Sequence, residues 1–111
     1  MPSLTTDVPH ALPVPAASRR TKGLIARLRL RYAGRLHDVD ERWDGDRGDF
    51  EFTLSGMRIR GSTEVLPGSV RVRVELPLLA MAFRSSIEQA IRAEVAGCLG
   101  GDEPGHGEGG A

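Results

Sequence analysis

Phe50–Leu76 reads FEFTLSGMRIRGSTEVLPGSVRVRVEL. Apolar and polar residues alternate along most of it, the period of two that marks β-strands with one buried face. Ser55-Gly56 and Pro67-Gly68 interrupt the alternation and carry turn chemistry, because glycine accepts the positive φ that tight hairpins need. Together they set a register that can be checked residue by residue. With Ser55-Gly56 as a hairpin loop, Phe52 opposes Ile59 and Glu51 opposes Arg60. With Pro67-Gly68 at the next turn, Val65 opposes Val70, Glu64 opposes Arg71 and Arg60 opposes Glu75. Opposite charges then meet on one face, while Val, Ile, Phe and Leu gather on the other. A slip of one residue destroys both patterns.

The period of two extends back to Leu36, and the turn signal GDRG (Gly45–Gly48) separates one further strand. The pattern predicts a four-stranded antiparallel meander. Phe50, Phe52, Leu54, Met57, Ile59 and Val65 share one face with Val70, Val72, Val74 and Leu76. Such a face needs a cover. Helical spacing supplies two candidates. Over Ala16–Ala33, Ala17, Thr21, Leu24, Ile25, Leu28 and Tyr32 form a stripe, with Arg19, Arg20, Lys22, Arg27, Arg29 and Arg31 on the other side. Pro15 suits a first turn and Gly34 a C-terminal stop. Gly23 weakens this helix, and LRLRY within it also alternates like a strand. Over Leu78–Leu99, Leu79, Ala80, Phe83, Ile87, Ala90, Ile91, Val95 and Cys98 follow helical spacing. The expected fold class is α+β, a meander covered on one face by an N-terminal and a C-terminal helix.

The chain has 111 residues, 40% hydrophobic and 27% charged, the size and composition of one small domain. Residues 1–15 are proline-rich and read as a flexible lead-in, with a short extended piece around Thr5–Leu12. Residues 16–99 read as the domain. Residues 100–111, glycine-rich and polar, bury too little apolar surface to offset their ordering entropy and read as disordered. Net charge is +0, which favours neither nucleic acid nor an acidic partner. The single cysteine suits a reducing compartment. There is no signal-like leader and no apolar run near the ~20 residues of a membrane span. The expected location is the cytoplasm.

Motifs for chemistry are sparse. In WDGDRGDFEF (Trp43–Phe52) the acids break the alternate spacing of a calcium loop, with Gly48 where a third acid belongs and Ser55 where the closing glutamate belongs. Arg47-Gly48-Asp49 spells an adhesion tripeptide, but adhesion needs secretion. A hairpin turn accounts for every residue, with Trp43 and Phe50 free to meet on the inner face. Parity with Val39 and Trp43 also points Glu41 inward, either as a perturbed acid or as an edge residue reaching water. His10, His37 and His106 lack zinc-ligand spacing. Cys98 lies on an apolar stripe without a nearby histidine, as a structural thiol does. Ser85 and Ser86 lack a nucleophile-elbow setting, and there is no glycine-rich phosphate loop. No cofactor, metal or catalytic residue is assigned, and the expected class is not an enzyme.

PHALP, the basic helix, RWDGD, the F-x-F pair, GMRIRGSTEV, VRVRVELPLLAMAF and IEQAI occur in that order. In this layout, over about Val8 to Leu99, the chain resembles the putative polyhydroxyalkanoic acid system proteins, or polyhydroxyalkanoate granule-region proteins, of proteobacteria. The link GRLHDVDE and the glycine-rich tail depart from the family pattern. The resemblance implies an association with storage-polyester metabolism and brings no catalytic residues. It implies a non-enzymatic accessory protein that binds a granule surface or a granule-coat protein. The candidate interaction surface is Arg19, Arg20, Lys22, Arg27, Arg29 and Arg31, with apolar contact from Leu30 and the ends of the last helix. Two other readings remain open. One is a protein-interaction module, such as a homodimer through a sheet edge or the Leu78–Phe83 end. The other is a weak nucleic-acid binder through the basic helix, disfavoured because base-stacking aromatics are missing there except Tyr32.

Overall fold

The computed structural model describes residues 2–100. A five-stranded antiparallel sheet runs in the order β1-β5-β4-β3-β2, with β1 Ser3–Pro9, β2 Leu36–Asp44, β3 Arg47–Leu54, β4 Met57–Leu66 and β5 Ser69–Glu75. Helices α1 (Val14–Thr21), α2 (Leu24–Arg31) and α3 (Arg84–Leu99) complete the fold. The class is α+β, and the register inferred for β3, β4 and β5 holds at every pair: Phe52–Ile59, Glu51–Arg60, Val65–Val70, Glu64–Arg71 and Arg60–Glu75. The turns are of the expected chemistry, with positive φ at Ser55, Gly56 and Gly68.

The sheet has five strands rather than four. Residues read as a flexible lead-in supply β1, which pairs with β5 from Ser3–Glu75 to Pro9–Ser69. Leu4, Thr6 and Val8 are buried against the core while their neighbours face out. The cause is the apolar face of β5, where Val70, Val72 and Val74 need a neighbour on the side away from β4. His10 pins the strand's end. Its Nδ1 accepts from the Leu12 N–H at 3.0 Å, so Nε2 carries the proton and donates to the Leu66 carbonyl at 2.8 Å. The glycine-rich tail from Gly101, with His106, lies outside the described residues.

The expected first helix is two helices. Gly23, at φ −83° and ψ 0°, separates α1 from α2, as befits a residue that costs about 1 kcal/mol relative to alanine inside a helix. The expected stripe nonetheless faces inward: Ala17, Thr21, Leu24 and Ile25 are buried. The last helix also differs. Leu78–Phe83 is a 3₁₀ segment that precedes α3. Its tighter winding breaks the α-helical phase, so Ala80 alone is buried, while Leu79 and Phe83 are 88% and 66% exposed instead of inward.

Two glycines make room for aromatic rings. Gly48 faces Trp43 across β2–β3, and a Cβ there would lie 2.6 Å from the indole. Gly61 faces Phe50 across β3–β4, and a Cβ there would lie 2.6 Å from the ring and 2.5 Å from the Arg73 carbonyl. Phe50 stacks on Phe52 with ring centroids 5.8 Å apart.

Candidate functional site

The acidic turn resolves as a hairpin. Asp44 pairs with Arg47 across the two-residue loop Gly45-Asp46, and Gly45 has φ +61°. Asp44, Asp46 and Asp49 are exposed. Among the described residues no group of three or more His, Cys, Asp or Glu is placed to hold a metal ion. Glu41 shares the inner parity of Trp43 but lies on the edge strand β2, exposed, where its carboxylate accepts the Trp43 Nε1–H at 2.9 Å.

The outer sheet face interleaves charge as expected. Arg58 and Arg60 reach Glu51 at 3.0 and 3.4 Å, and Arg71 pairs with Asp7 of β1 at 2.9 Å. The hydrogen bond from Arg58 holds the Glu51 carboxyl below its usual range, with the charges of Arg58 and Arg60 adding to it. A broad basin of about 460 Å³ lies on this face. Four arginines (42, 47, 60, 73) and four acids (40, 49, 51, 75) line it, so its net field is small.

Five of the six basic residues singled out by sequence are exposed, and Arg27 is buried. The Arg27 Nε donates to Glu94 at 2.8 Å. Arg31 pairs with the second oxygen of Glu94. Arg20 donates to the Leu99 carbonyl at 2.7 Å, at the C-terminal end of α3, where a cation complements the helix dipole. Lys22 stands 5.5 Å over the Trp43 ring, a cation–π contact. Arg19 and Arg29 project into solvent with neither a polar partner nor a ring contact among the described residues.

Glu94 is the residue that hydropathy reading misses. It falls beside Val95 and Ile91 on the inner stripe of α3 and is 6% exposed. Gly97 lies one turn on, and a methyl there would collide with the Arg27 guanidinium, so the glycine is what allows α2's arginine to cross α3. Cys98 belongs to the same neighbourhood. Burial pushes its thiol up to about 11, with Arg27 working against the rise and Glu94 adding to it. It is a protonated, structural sulfur at neutral pH.

Between helices and sheet lies a cavity of about 170 Å³. Leu24, Phe52, Ile59, Val72, Val74, Leu76 and Val95 form its buried wall, and Leu28, Tyr32, Leu54, Met57, Ile87 and Ile91 its more accessible side. Among the described residues, Glu94 is its one charged lining group. Periodicity assigned these residues to the core but could not show that they leave it unfilled. Outside the cavity, Leu78, Leu79, Phe83 and Leu30 are large apolar side chains in water. Among the described residues no helix is long and apolar enough to cross a membrane.

A family model described as putative polyhydroxyalkanoic acid system protein matches residues 4–99. No curated protein matches the chain. Among solved structures, the crystal structure of the di-domain ARO/CYC BexL from the BE-7585A biosynthetic pathway is similar, with a TM-score of 0.54 and 15% sequence identity. The match covers 92% of this chain and 50% of that one, so this chain spans about half that protein's length. At this identity the likeness concerns the fold.

Proposed function

The chain belongs to the putative polyhydroxyalkanoic acid system protein family, and from that we propose that it is a non-enzymatic accessory protein that binds the surface of a storage-polyester granule. One observation carries the reading: Leu78, Leu79 and Phe83 are 76%, 88% and 66% exposed within a single six-residue 3₁₀ segment. Clustered apolar side chains in water mark interaction surfaces. Each is worth about 1.5–3 kcal/mol on burial, enough in sum for reversible adsorption after association costs.

The non-enzymatic part rests on how the reactive groups are used. Cys98 is buried and protonated at neutral pH. Both ring nitrogens of His10 are spent on backbone groups. Ser85 and Ser86 are exposed in the first turn of α3.

A fluorescently tagged copy in polyester-accumulating cells is expected to enrich at granules, and purified protein to co-sediment with bare polyester particles. Leu79→Ser/Phe83→Ser is expected to weaken both at least tenfold while far-UV circular dichroism stays unchanged. Signal that stays diffuse in cells rejects granule association. Enrichment on native granules without binding to bare particles transfers the contact to a granule-coat protein.

A further inference from the structure

The geometry points to the cavity between helices and sheet as the binding site of a medium-chain aliphatic carboxylate, its tail inside and its carboxylate at Arg35. The cavity, at about 170 Å³, is slightly larger than the ~150 Å³ apolar void that accepts benzene. It therefore holds a tail of about six to eight carbons. Its surface offers such a tail only apolar atoms except at Tyr32 and Glu94. The Glu94 carboxylate is already committed on both oxygens, to Arg27 and Arg31, so it asks for no polar atom from a ligand.

The entrance lies where the lining residues are incompletely buried: Leu28 and Tyr32 on and just after α2, Leu54 and Met57 at the β3–β4 turn, and Ile87 and Ile91 on α3. The Arg35 guanidinium sits 5.5 Å from the Tyr32 ring centre. It has no acidic partner among the described residues, whereas nearby Arg31 is already paired with Glu94. A tail followed by an anion therefore matches apolar interior to cationic mouth, which neither a neutral hydrocarbon nor a dicarboxylate does. None of the cavity-lining residues is Leu78, Leu79 or Phe83, so this site and the granule-binding patch stand or fall separately.

Methyl NMR on the full chain, titrated with sodium octanoate and separately with 1-octanol, tests the assignment. Expected are saturable shifts at Leu54, Ile87 and Ile91, with half-saturation below about 1 mM. Affinity should rise along the series from butanoate and level off near eight carbons, where the cavity ends. Arg35→Gln, at an exposed position, should weaken octanoate about fivefold and leave octanol unchanged. Ala90→Phe, placing a ring in the cavity, should abolish binding of both. Absence of saturable shifts in the millimolar range overturns the proposal. So do shifts centred on Leu78–Phe83 instead of the cavity methyls, and equal losses of octanoate and octanol in Arg35→Gln. Should Ala90→Phe not fold, the chain-length series and Arg35→Gln decide alone.

Discussion

Arg27→Met removes one partner from a buried carboxylate while keeping most of the apolar stem that packs beside it. The side chains of Arg27 and Glu94 are 10% and 8% exposed. Breaking such a pair from one side costs about 3–5 kcal/mol, because the remaining charge stays buried. Glu94 keeps Arg31, but that side chain is 55% exposed and its attraction is screened. The low end applies, about 3 kcal/mol. For a domain of this size each kcal/mol moves the melting temperature by about 4–8 °C, so the drop should be roughly 12–24 °C. Glu94→Leu should also destabilise, because it removes the buried carboxylate that both Arg27 and Arg31 contact. The double variant replaces the pair with apolar groups and should recover most of the loss. Urea unfolding of the four proteins, followed by circular dichroism and Trp43 fluorescence, measures the cycle. A coupling of at least about 2 kcal/mol is expected. If Arg27→Met costs less than about 1 kcal/mol, or the double variant loses the sum of the singles, the pair is not the desolvated contact described and the reasoning fails.

Gly61→Ala should destabilise by about 1–3 kcal/mol, because the new methyl meets the Phe50 ring and the fixed Arg73 carbonyl; a chemical-denaturation midpoint equal to wild type would show that the strand can shift aside. Cys98 should resist iodoacetamide at pH 8 and react at the rate of a free thiol only once the protein unfolds. Its raised value has a stability consequence of definite sign. Between the ordinary value of 9.0 and about 11 the folded state holds a proton that the unfolded state has lost. Stability should therefore fall by at most about 2–3 kcal/mol as pH rises through that window. Cys98→Ala should remove that dependence, and a melting curve whose pH dependence above 9 is the same in both proteins would contradict it.

The parts of the fold that could be read in advance share one property: several independent signals met at the same residues. In β3–β5, turn glycines, cross-strand charges and alternating aliphatics agree on one register. β1 offers only Leu4, Thr6 and Val8, with a threonine among its three inward positions and prolines at both flanks, and its partner lies some seventy residues away in the chain. Local pattern carries no information about so distant a match. The 3₁₀ segment defeats helical spacing because its period is three rather than 3.6, which leaves Leu79 and Phe83 in water. For the candidate site, the basic residues of α1 and α2 were recognisable as a group, but their partners were not. Glu94, Leu99 and Trp43 come from other elements, and a stripe drawn from hydropathy places every arginine outside by default. The cavity is a deficit of volume, and a pattern of residue types records which side chains turn inward without recording how completely they fill the space.

β1 is made before β5, the strand it pairs with, and α1, α2 and β2 to β4 lie between them in the chain. Its ladder with β5 begins at Ser3–Glu75, so a ribosome adding ~5–20 residues per second takes roughly 4–14 s to deliver the other half. The three hairpins from β2 to β5 close through two-residue loops and can form as soon as each appears, whereas β1 must wait across the whole α1–β5 excursion and meet a large loop-closure entropy. The assembled β2–β5 sheet then presents β5 as an open, valine-rich edge until β1 arrives. That interval is when one copy can lend its β1 to another, and high local concentration during synthesis would favour exchange between neighbouring chains over closure within one.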